Sequence, residues 1–147
     1  MFISIGIDEN GKPYVSTSDS SDDHPRRTRP HKGHSILSAP DTYTVIDIET
    51  TGLDSRYCEI IEMSALRYAG GNLSSSFSTL VKPVEPIDEF ITELTRITND
   101  MVSDAPPIST AIKQFYDFIG SDILVGYNVN FDINFIYDVL QETYGVD

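Results

Sequence analysis

The sequence predicts one α/β domain in which a mixed β-sheet is flanked by helices. Three observations predict it. Runs of β-branched and apolar residues typical of strands recur along the chain, segments of helical periodicity follow them, and the last strand-like run comes after a helical crossover. With 147 residues and 39% hydrophobic content, the chain is long enough for one core and too short for two ordinary domains.

The first 40 residues are predicted to lie outside that domain. Phe2 to Ile7 has the composition of a short strand, and residues 8–13 resemble a turn. From Ser16 to about Pro40 the chain is rich in Ser, Asp, His, Arg and Pro without apolar periodicity, which predicts a flexible arm. The basic cluster from Arg26 to His34 is interpreted as a solvated tether, with contact to phosphates as the alternative.

The domain, residues 41–147, is predicted to begin with three strands. Tyr43 to Ile48 is β-branched and lies between a Pro-Asp pair and a glycine, which indicates a buried strand. Ile60 to Tyr68 and Ser75 to Val81 lie on either side of the Ala-Gly-Gly-Asn sequence at residues 69–72. We therefore expect an antiparallel hairpin.

Helices and a fourth strand are predicted in the second half of the domain. Ile123 to Gly126 is the strand, and a right-handed crossover would place it parallel to the first strand. Asn130 is predicted to cap a final helix that carries Asp132 in its first turn. The helices before that strand are predicted at Ile87 to Leu94, Asn99 to Ser103 and Ile108 to Ile119.

Composition and charge narrow the class of function. The net charge of −13 argues against nucleic-acid binding through a broad basic surface, although divalent cations could invert the field locally. No apolar run is long enough for a membrane span, and the N-terminus lacks the features of a signal peptide, so a cytoplasmic protein without membrane contact is expected. The single cysteine, Cys58, is expected to be structural.

Three carboxylates are predicted to converge at one edge of the sheet. Asp47 and Glu49 are two positions apart on the first strand, so their side chains share one face. If the fourth strand is parallel to the first, Asp132 emerges at the same edge. The two strand carboxylates interrupt a hydrophobic run, where burial would be costly without a counter-ion. A hard divalent cation such as Mg²⁺ or Mn²⁺ is the natural occupant.

Each of these signals also has a structural interpretation. An aspartate in the first turn of a helix often only complements the helix dipole, and an Asp-x-Glu pair on a strand is common on solvated faces. Taken together, Asp47, Glu49 and Asp132 favour a metal site. Glu62 is interpreted as a solvated or salt-bridged side chain and is not included.

The segment from Asp47 to Leu53 (DIETTGL) resembles the first motif of the DEDD superfamily of 3′→5′ exonucleases, and Gly126 to Asp132 resembles the second motif. Residues 59–62 and 94–99 are similar to the linking segments of polymerase III epsilon chains and of the exonuclease domain of Gram-positive polymerases. The resemblance covers the chain from about Tyr43 to the C-terminus.

The resemblance implies an RNase H-like fold that binds two divalent cations, Mg²⁺ or Mn²⁺. It implies hydrolysis of the terminal phosphodiester at the 3′ end of single-stranded DNA, as in proofreading, with Asp47, Glu49 and Asp132 as catalytic metal ligands. A DNA polymerase is the implied protein partner. The residues that would contact the substrate are Thr50, Thr51, Gly52, Leu53, Thr95, Ile97, Thr98, Tyr127, Asn128 and Phe131.

The match departs from the family at two points. The family continues with a third motif, a histidine and an aspartate five residues later, and nothing follows Asp147. We therefore expect a C-terminally truncated domain with weak or no activity. Tyr127 occupies the position where relatives commonly have histidine, so changed substrate contact is expected. Two alternatives stay open: a non-catalytic module that binds metal, nucleic acid or a protein partner, and an RNA-directed exonuclease of the same superfamily.

Overall fold

A computed structural model of the protein describes residues 40–145 and the backbone of two strands near the N-terminus. These strands, β1 (Phe2–Ile7) and β2 (Pro13–Ser18), pair antiparallel in a sheet of their own. β1 confirms the strand predicted there. The assignment of residues 16–18 to an arm is wrong, because they belong to β2. The turn predicted at residues 8–13 is wrong at Pro13, which begins β2. The remainder of that turn and of the predicted arm lie outside the described residues, and the domain division at residue 40 stays a prediction.

The main sheet has four strands in the order β5-β4-β3-β6, and the mixed sheet predicted from the sequence is confirmed. β3, β4 and β5 are joined by antiparallel pairing, and the short β6 runs parallel to β3. Gly70 and Gly71 form the turn between β4 and β5 with φ of 56° and 75°, which glycine adopts without steric cost. The strands are β3 (Thr42–Thr50), β4 (Ile60–Ala69), β5 (Asn72–Leu80) and β6 (Leu124–Val125).

Four helices follow β5, with β6 between the third and the fourth. They are α1 (Glu89–Thr95), α2 (Asn99–Val102), α3 (Ile108–Ile119) and α4 (Val129–Tyr144). The prediction that Asn130 caps the final helix is wrong, because the cap is Asn128, whose left-handed backbone (φ 54°) turns the chain into α4 two residues earlier. None of the helices in the described part of the chain is long and apolar enough to cross a membrane.

The main core lies between one face of the sheet and the helices α3 and α4. Ile46 and Ile48 of β3 face it, and Phe115 of α3 is fully buried at its centre. Phe77 of β5 contacts the Phe115 ring edge-on at a centroid distance of 5.8 Å. Because strand residues alternate between faces, the side chains at positions 47 and 49 lie on the opposite face of the sheet, away from this core.

A β-bulge near the start of β4 creates a second, smaller core. Glu49 pairs with Glu62 and Thr50 pairs with Ile60, so Ile61 has no partner on β3. A bulge of this kind re-aims a side chain, and as a result both Ile60 and Ile61 are buried, each in a different cluster. Ile61 packs with Ile87, Ile91, Ile97 and Val102, which attaches α1 and α2 to the sheet.

A polar network holds β6 against the beginning of β3. The hydroxyl of Thr44, which is fully buried, donates to Asp122 Oδ2 at 2.6 Å, and Arg67 Nε donates to the same oxygen at 2.6 Å. These bonds from Thr44 and Arg67 lower the pKa of the Asp122 carboxyl. Asp122 immediately precedes the segment that pairs with β3, so the network sets the parallel register in a strand of only two residues.

Replacing the central phenylalanine should reveal how much of the stability comes from this core. We expect Phe115→Ala to lower the free energy of unfolding by about 3–5 kcal/mol, because it opens a cavity at a fully buried site. Tyr116→Ala is the matched control, since this neighbouring ring is 45% exposed and its removal should cost well under half as much. Urea denaturation followed by circular dichroism measures both, and equal losses would contradict the assignment of the core.

Candidate active site

The end of β3 presents two carboxylates on the face of the sheet opposite the core. Asp47 is exposed and Glu49 is partly buried, whereas Ile48 between them is buried in the core. The predicted sharing of one face is confirmed, but the expected burial of Asp47 is wrong. The reason is that the core lies on the other face, so the hydrophobic residues adjacent to Asp47 in sequence do not surround its side chain.

Asp132 approaches these two residues from α4. It is 3% exposed, and its Oδ1 accepts a hydrogen bond of 3.1 Å from the backbone N–H of Ile48. The N–H groups of Thr44 and Ile48 are four positions apart and point to the same edge of β3; that of Thr44 donates to the carbonyl of Ile123. Asp132 therefore takes the place of a strand partner where β6 has ended.

A glycine allows the chain to turn so closely from β6 into α4. A Cβ at Gly126 would lie 2.9 Å from the carbonyl oxygen of Ile46 and 3.2 Å from Cγ2 of Val129. The contact with the backbone oxygen is too short for a real Cβ, so any other residue at this position would require the chain between β6 and α4 to shift relative to β3. Gly126 thus contributes to the approach of Asp132 to Ile48.

The carboxylates raise one another's proton affinity. Burial raises the pKa of Asp132 from 3.8 to about 6; the hydrogen bond from Ile48 opposes this shift and the charge of Asp47 adds to it. Burial also raises the pKa of Glu49, and the charges of Asp47, Glu62 and Asp132 raise it further. Two carboxylates at close range disfavour each other's charged form, which identifies this edge as a site of concentrated negative potential.

Glu62 belongs to this acidic group, although the sequence interpretation set it aside. It lies directly opposite Glu49 in the antiparallel register, and it contributes to the raised pKa of that residue. Opposite residues in such a pair have Cβ atoms about 4.5–5.5 Å apart. The Glu-Ile-Ile-Glu segment at 59–62 shows that a carboxylate lies early in β4, but the bulge that places it opposite Glu49 was not foreseeable from the sequence.

The donor chemistry fits a divalent cation. Carboxylate oxygens are the ligands that Mg²⁺ and Mn²⁺ prefer, and a cation would relieve the repulsion among Asp47, Glu49 and Asp132. Within the residues that the structure describes, no three acidic, histidine or cysteine side chains form a ready-made ligand group. Asp132 is held by its hydrogen bond, whereas Asp47 is exposed and has room to adjust its side chain.

The residues after β3 form a hydrogen-bonded loop. The hydroxyl of Thr50 donates to the carbonyl of Gly52 at 2.6 Å, and Thr51 exchanges two hydrogen bonds with Glu59. A Cβ at Gly52 would lie 2.6 Å from Sγ of Cys58, so the thiol fills the space beside this glycine. Leu53 at the tip of the loop is 88% exposed, which leaves its side chain available for contact with a ligand.

The segment between α1 and α2 is held by its own side chains. The hydroxyl of Thr95 donates to the carbonyl of Ile91 and accepts the N–H of Ile97, and Thr98 caps α2 by accepting the N–H of Met101. Ile97 is only 3% exposed because it packs in the second core. Any contact of Ile97 with a substrate would therefore involve its backbone.

The loop before α4 carries the most exposed aromatic side chain of the described chain. Tyr127 is 93% exposed, and Asn128 next to it adopts a left-handed conformation without a side-chain capping bond. Phe131 is partly buried and packs on Phe135 with a centroid distance of 5.0 Å. Tyr127 and Asn128 are thus open to solvent, whereas Phe131 is also part of the core boundary.

Histidine is missing from the described residues around these carboxylates. His24, His31 and His34 are the only histidines of the chain, and all three precede residue 40. An imidazole that could accept a proton near Asp47 is therefore not supplied by residues 40–145.

Comparison with known proteins supports the sequence resemblance. The exonuclease family model named after RNase T matches residues 44–144. PolC-type DNA polymerase III of Bacillus subtilis is 44% identical over 103 residues, which are 70% of this chain and 7% of that protein. The corresponding polymerase of Clostridium perfringens is 44% identical over 105 residues, 71% of this chain and 7% of that protein. The chain thus spans a small fraction of these relatives.

Solved structures give the same result for the fold. Exonuclease X in complex with 5′-overhanging duplex DNA is 34% identical, with a TM-score of 0.54 over 63% of this chain and 52% of that one. Exonuclease I has a TM-score of 0.64 at 17% identity, over 71% of this chain and 25% of that one, which supports the fold alone. The mixed sheet and its flanking helices are therefore an RNase H-like fold, and the chain belongs to the exonuclease family as a DEDD-type 3′→5′ exonuclease domain resembling the proofreading domain of PolC-type polymerases.

Proposed function

We propose that Asp47, Glu49 and Asp132 hold two divalent cations, Mg²⁺ or Mn²⁺, at which the 3′-terminal phosphodiester of single-stranded DNA is hydrolysed. The observation that carries the proposal is the hydrogen bond of Asp132 to the backbone N–H of Ile48, because it attaches the third carboxylate to β3 at the residue that lies in sequence between Asp47 and Glu49. Dependence on divalent metal is a property of the family to which the chain belongs.

The carboxylates would act by binding and by charge. When bound, a pair of cations lowers the pKa of a coordinated water and neutralises charge on the phosphoryl oxygens. Asp132 is held against the backbone of β3, so it would provide a rigid ligand. Asp47 and Glu49 would complete the site from the strand, and the proximity of Glu62 would add to its attraction for cations.

The terminal nucleotide would lie between the loop after β3 and the segment between α1 and α2. Leu53 and Tyr127 offer exposed apolar surface on which a base can pack. Backbone groups near Gly52 and Ile97, together with Thr51, Thr95 and Thr98, would line the remainder of the pocket. The hydroxyls of Thr50, Thr95 and Thr98 already make bonds within the protein, so their role would be to shape the pocket.

A second candidate is a module that binds metal and a single strand without cleaving it. The observation that favours it is the lack of histidine in residues 40–145, because hydrolysis needs a group that accepts the proton of the attacking water. On this basis we expect weak or no turnover by this chain. The experiment described next distinguishes the two candidates.

Replacing Asp47, one of the two carboxylates on β3, should abolish metal-dependent binding and hydrolysis of DNA. We expect Asp47→Ala to weaken Mn²⁺-dependent binding of a 3′-labelled single strand at least about tenfold, with loss of any nucleoside monophosphate release. Asp41→Ala, a change at an exposed aspartate immediately before the other end of β3, is the matched control. Catalysis would be shown if the wild type and Asp41→Ala release nucleoside monophosphate in the presence of metal and Asp47→Ala does not. Binding of the single-stranded DNA without release of nucleotide would favour the second candidate. Equal binding and release by Asp47→Ala and Asp41→Ala would contradict the proposed metal site.

The choice of nucleic acid and of protein partner rests on the relatives. Polymerases of the PolC type are DNA polymerases, and a polymerase is therefore the partner that we propose. Strands ending in deoxyribose and in ribose differ by the 2′-hydroxyl, so measuring both with the same chain tests the preference for DNA. Preferential release or binding of ribose ends would instead indicate an RNA-directed member of the family.

The raised pKa of Asp132 should make the metal-free protein less stable as pH rises. A folded-state pKa of about 6, above the ordinary 3.8, means that the folded chain holds the proton more tightly, so stability falls between about pH 4 and 6. Asp132→Asn retains an acceptor for Ile48 and should be more stable than the wild type at pH 7 by about 2 kcal/mol.

Thermal denaturation in a metal chelator, followed over this pH range, measures the effect of Asp132. Addition of Mg²⁺ should stabilise the wild type and leave Asp132→Asn little changed, because the cation replaces the proton as the partner of the carboxylate. Parallel pH profiles of the two proteins would contradict the shift in the pKa of Asp132.

Leu53 should contribute to the affinity for single-stranded DNA but not to folding. We expect Leu53→Ala to weaken binding of a single-stranded oligonucleotide about five- to tenfold, because packing of a base on the exposed leucine side chain removes apolar surface from water. Leu73→Ala is the control, because Leu73 is also exposed (56%) but lies at the hairpin of β4 and β5. Fluorescence anisotropy measures both affinities, and an equal effect of the two changes would remove Leu53 from the pocket.

A further inference from the structure

Glu59 joins two parts of the molecule that are far apart in sequence. Its Oε1 accepts the backbone N–H of Val84 at 2.8 Å, and its Oε2 accepts the backbone N–H of Glu85 at 3.1 Å. Both carboxylate oxygens therefore bind the segment that leads from β5 to α1. Bonds to an ionised carboxylate are about twice as strong as bonds between neutral groups.

The segment bound by Glu59 has few other donors. Val84 and Glu85 lie between Pro83 and Pro86, and proline has no backbone N–H. The two N–H groups accepted by Glu59 are therefore the only backbone donors in residues 83–86. A segment of this kind has no strand ladder of its own to fix its position, so Glu59 fixes it against the start of β4.

At its other end, Glu59 is bound to the loop after β3. Its N–H donates to the hydroxyl of Thr51 at 2.9 Å, and its carbonyl accepts the N–H of Thr51 at 2.9 Å. Thr51 is followed by Gly52 and Leu53, the residues that form one wall of the proposed nucleotide pocket. Glu59 is therefore attached directly to that wall.

The bound segment is attached in turn to the opposite wall. Asn99 accepts the N–H of Ile87 through Oδ1 and donates through Nδ2 to the carbonyl of the same residue, both at 2.8 Å. Asn99 begins α2 and follows Thr98, which caps this helix. Glu59 and Asn99 thus connect Thr51 on one wall with Thr98 on the other through a short stretch of backbone.

We propose that Glu59 is a positioning residue that sets the separation of the two walls of the nucleotide pocket. The inference rests on the proposed function, because it concerns the pocket assigned there. Glu59 lies outside the acidic group at Asp47, Glu49 and Asp132 and acts through the backbone of residues 84 and 85. Its effect should appear in how the terminal base is held, with metal binding unchanged.

The test uses a single-stranded DNA that ends in 2-aminopurine at its 3′ position, with Ca²⁺ as the divalent cation. Anisotropy reports total affinity, and 2-aminopurine fluorescence reports the environment of the terminal base. We expect Glu59→Gln to weaken affinity about tenfold and to reduce the fluorescence change at saturation, because misplacement of a wall by about 1 Å is enough for large losses. A carboxamide retains one acceptor and presents an N–H to the second donor.

Two further variants make the result specific. Glu93→Gln makes the same chemical change at an exposed position on α1 and should behave as the wild type. Asn99→Ala removes the hydrogen bonds to Ile87 at the other end of this connection. It should likewise weaken affinity and reduce the fluorescence change. The double variant should be little weaker than the more affected single variant, because both changes break one connection.

Each outcome bears on the proposal. A loss of terminal-base signal in Glu59→Gln, with the thermal midpoint and the Ca²⁺ affinity of the wild type, supports it. Wild-type binding by Glu59→Gln would overturn it, and so would a loss that only accompanies unfolding or loss of Ca²⁺. If the wild-type chain binds no single strand, the proposed function itself fails, and that result is obtained before any variant is compared.

Discussion

The hydrogen bond between Asp132 and the backbone of Ile48 is the contact on which the arrangement of the site depends. It replaces the strand partner that β3 lacks beyond the two-residue β6, and it joins the start of α4 to the sheet. The same bond brings a buried carboxylate next to Asp47 and Glu49. Satisfying one backbone donor and assembling an acidic site are therefore achieved by a single side chain.

The electrostatics of this edge place stability and function in opposition. The raised pKa values of Asp132 and Glu49 arise because burial and neighbouring charges disfavour the ionised carboxylates, and this lowers the stability of the metal-free fold. A chain with a net charge of −13 also repels phosphates at long range. Divalent cations bound at this edge would offset the repulsion among the carboxylates and would provide local positive charge next to the phosphates.

Local sequence patterns predict much of the fold but only part of the candidate site. The main strands and α3 were predictable because their apolar periodicity matches the core that buries them. Burial of Asp47 was predicted wrongly, since a sequence does not show which face of a strand the core covers. The position of Glu62 opposite Glu49 depends on a pairing register, and the role proposed for Glu59 depends on backbone groups 25 and 26 residues away. Neither is visible in local sequence.

The bulge at Ile61 restricts how this region can change in length during evolution. Without the extra residue, β4 would alternate regularly, and Ile61 would not be re-aimed into the cluster that holds α1 and α2. Insertions or deletions should therefore be tolerated at the exposed turn of Gly70 and Gly71 but rejected between Cys58 and Met63. In this short stretch, the number of residues matters to the second core as much as their chemistry does.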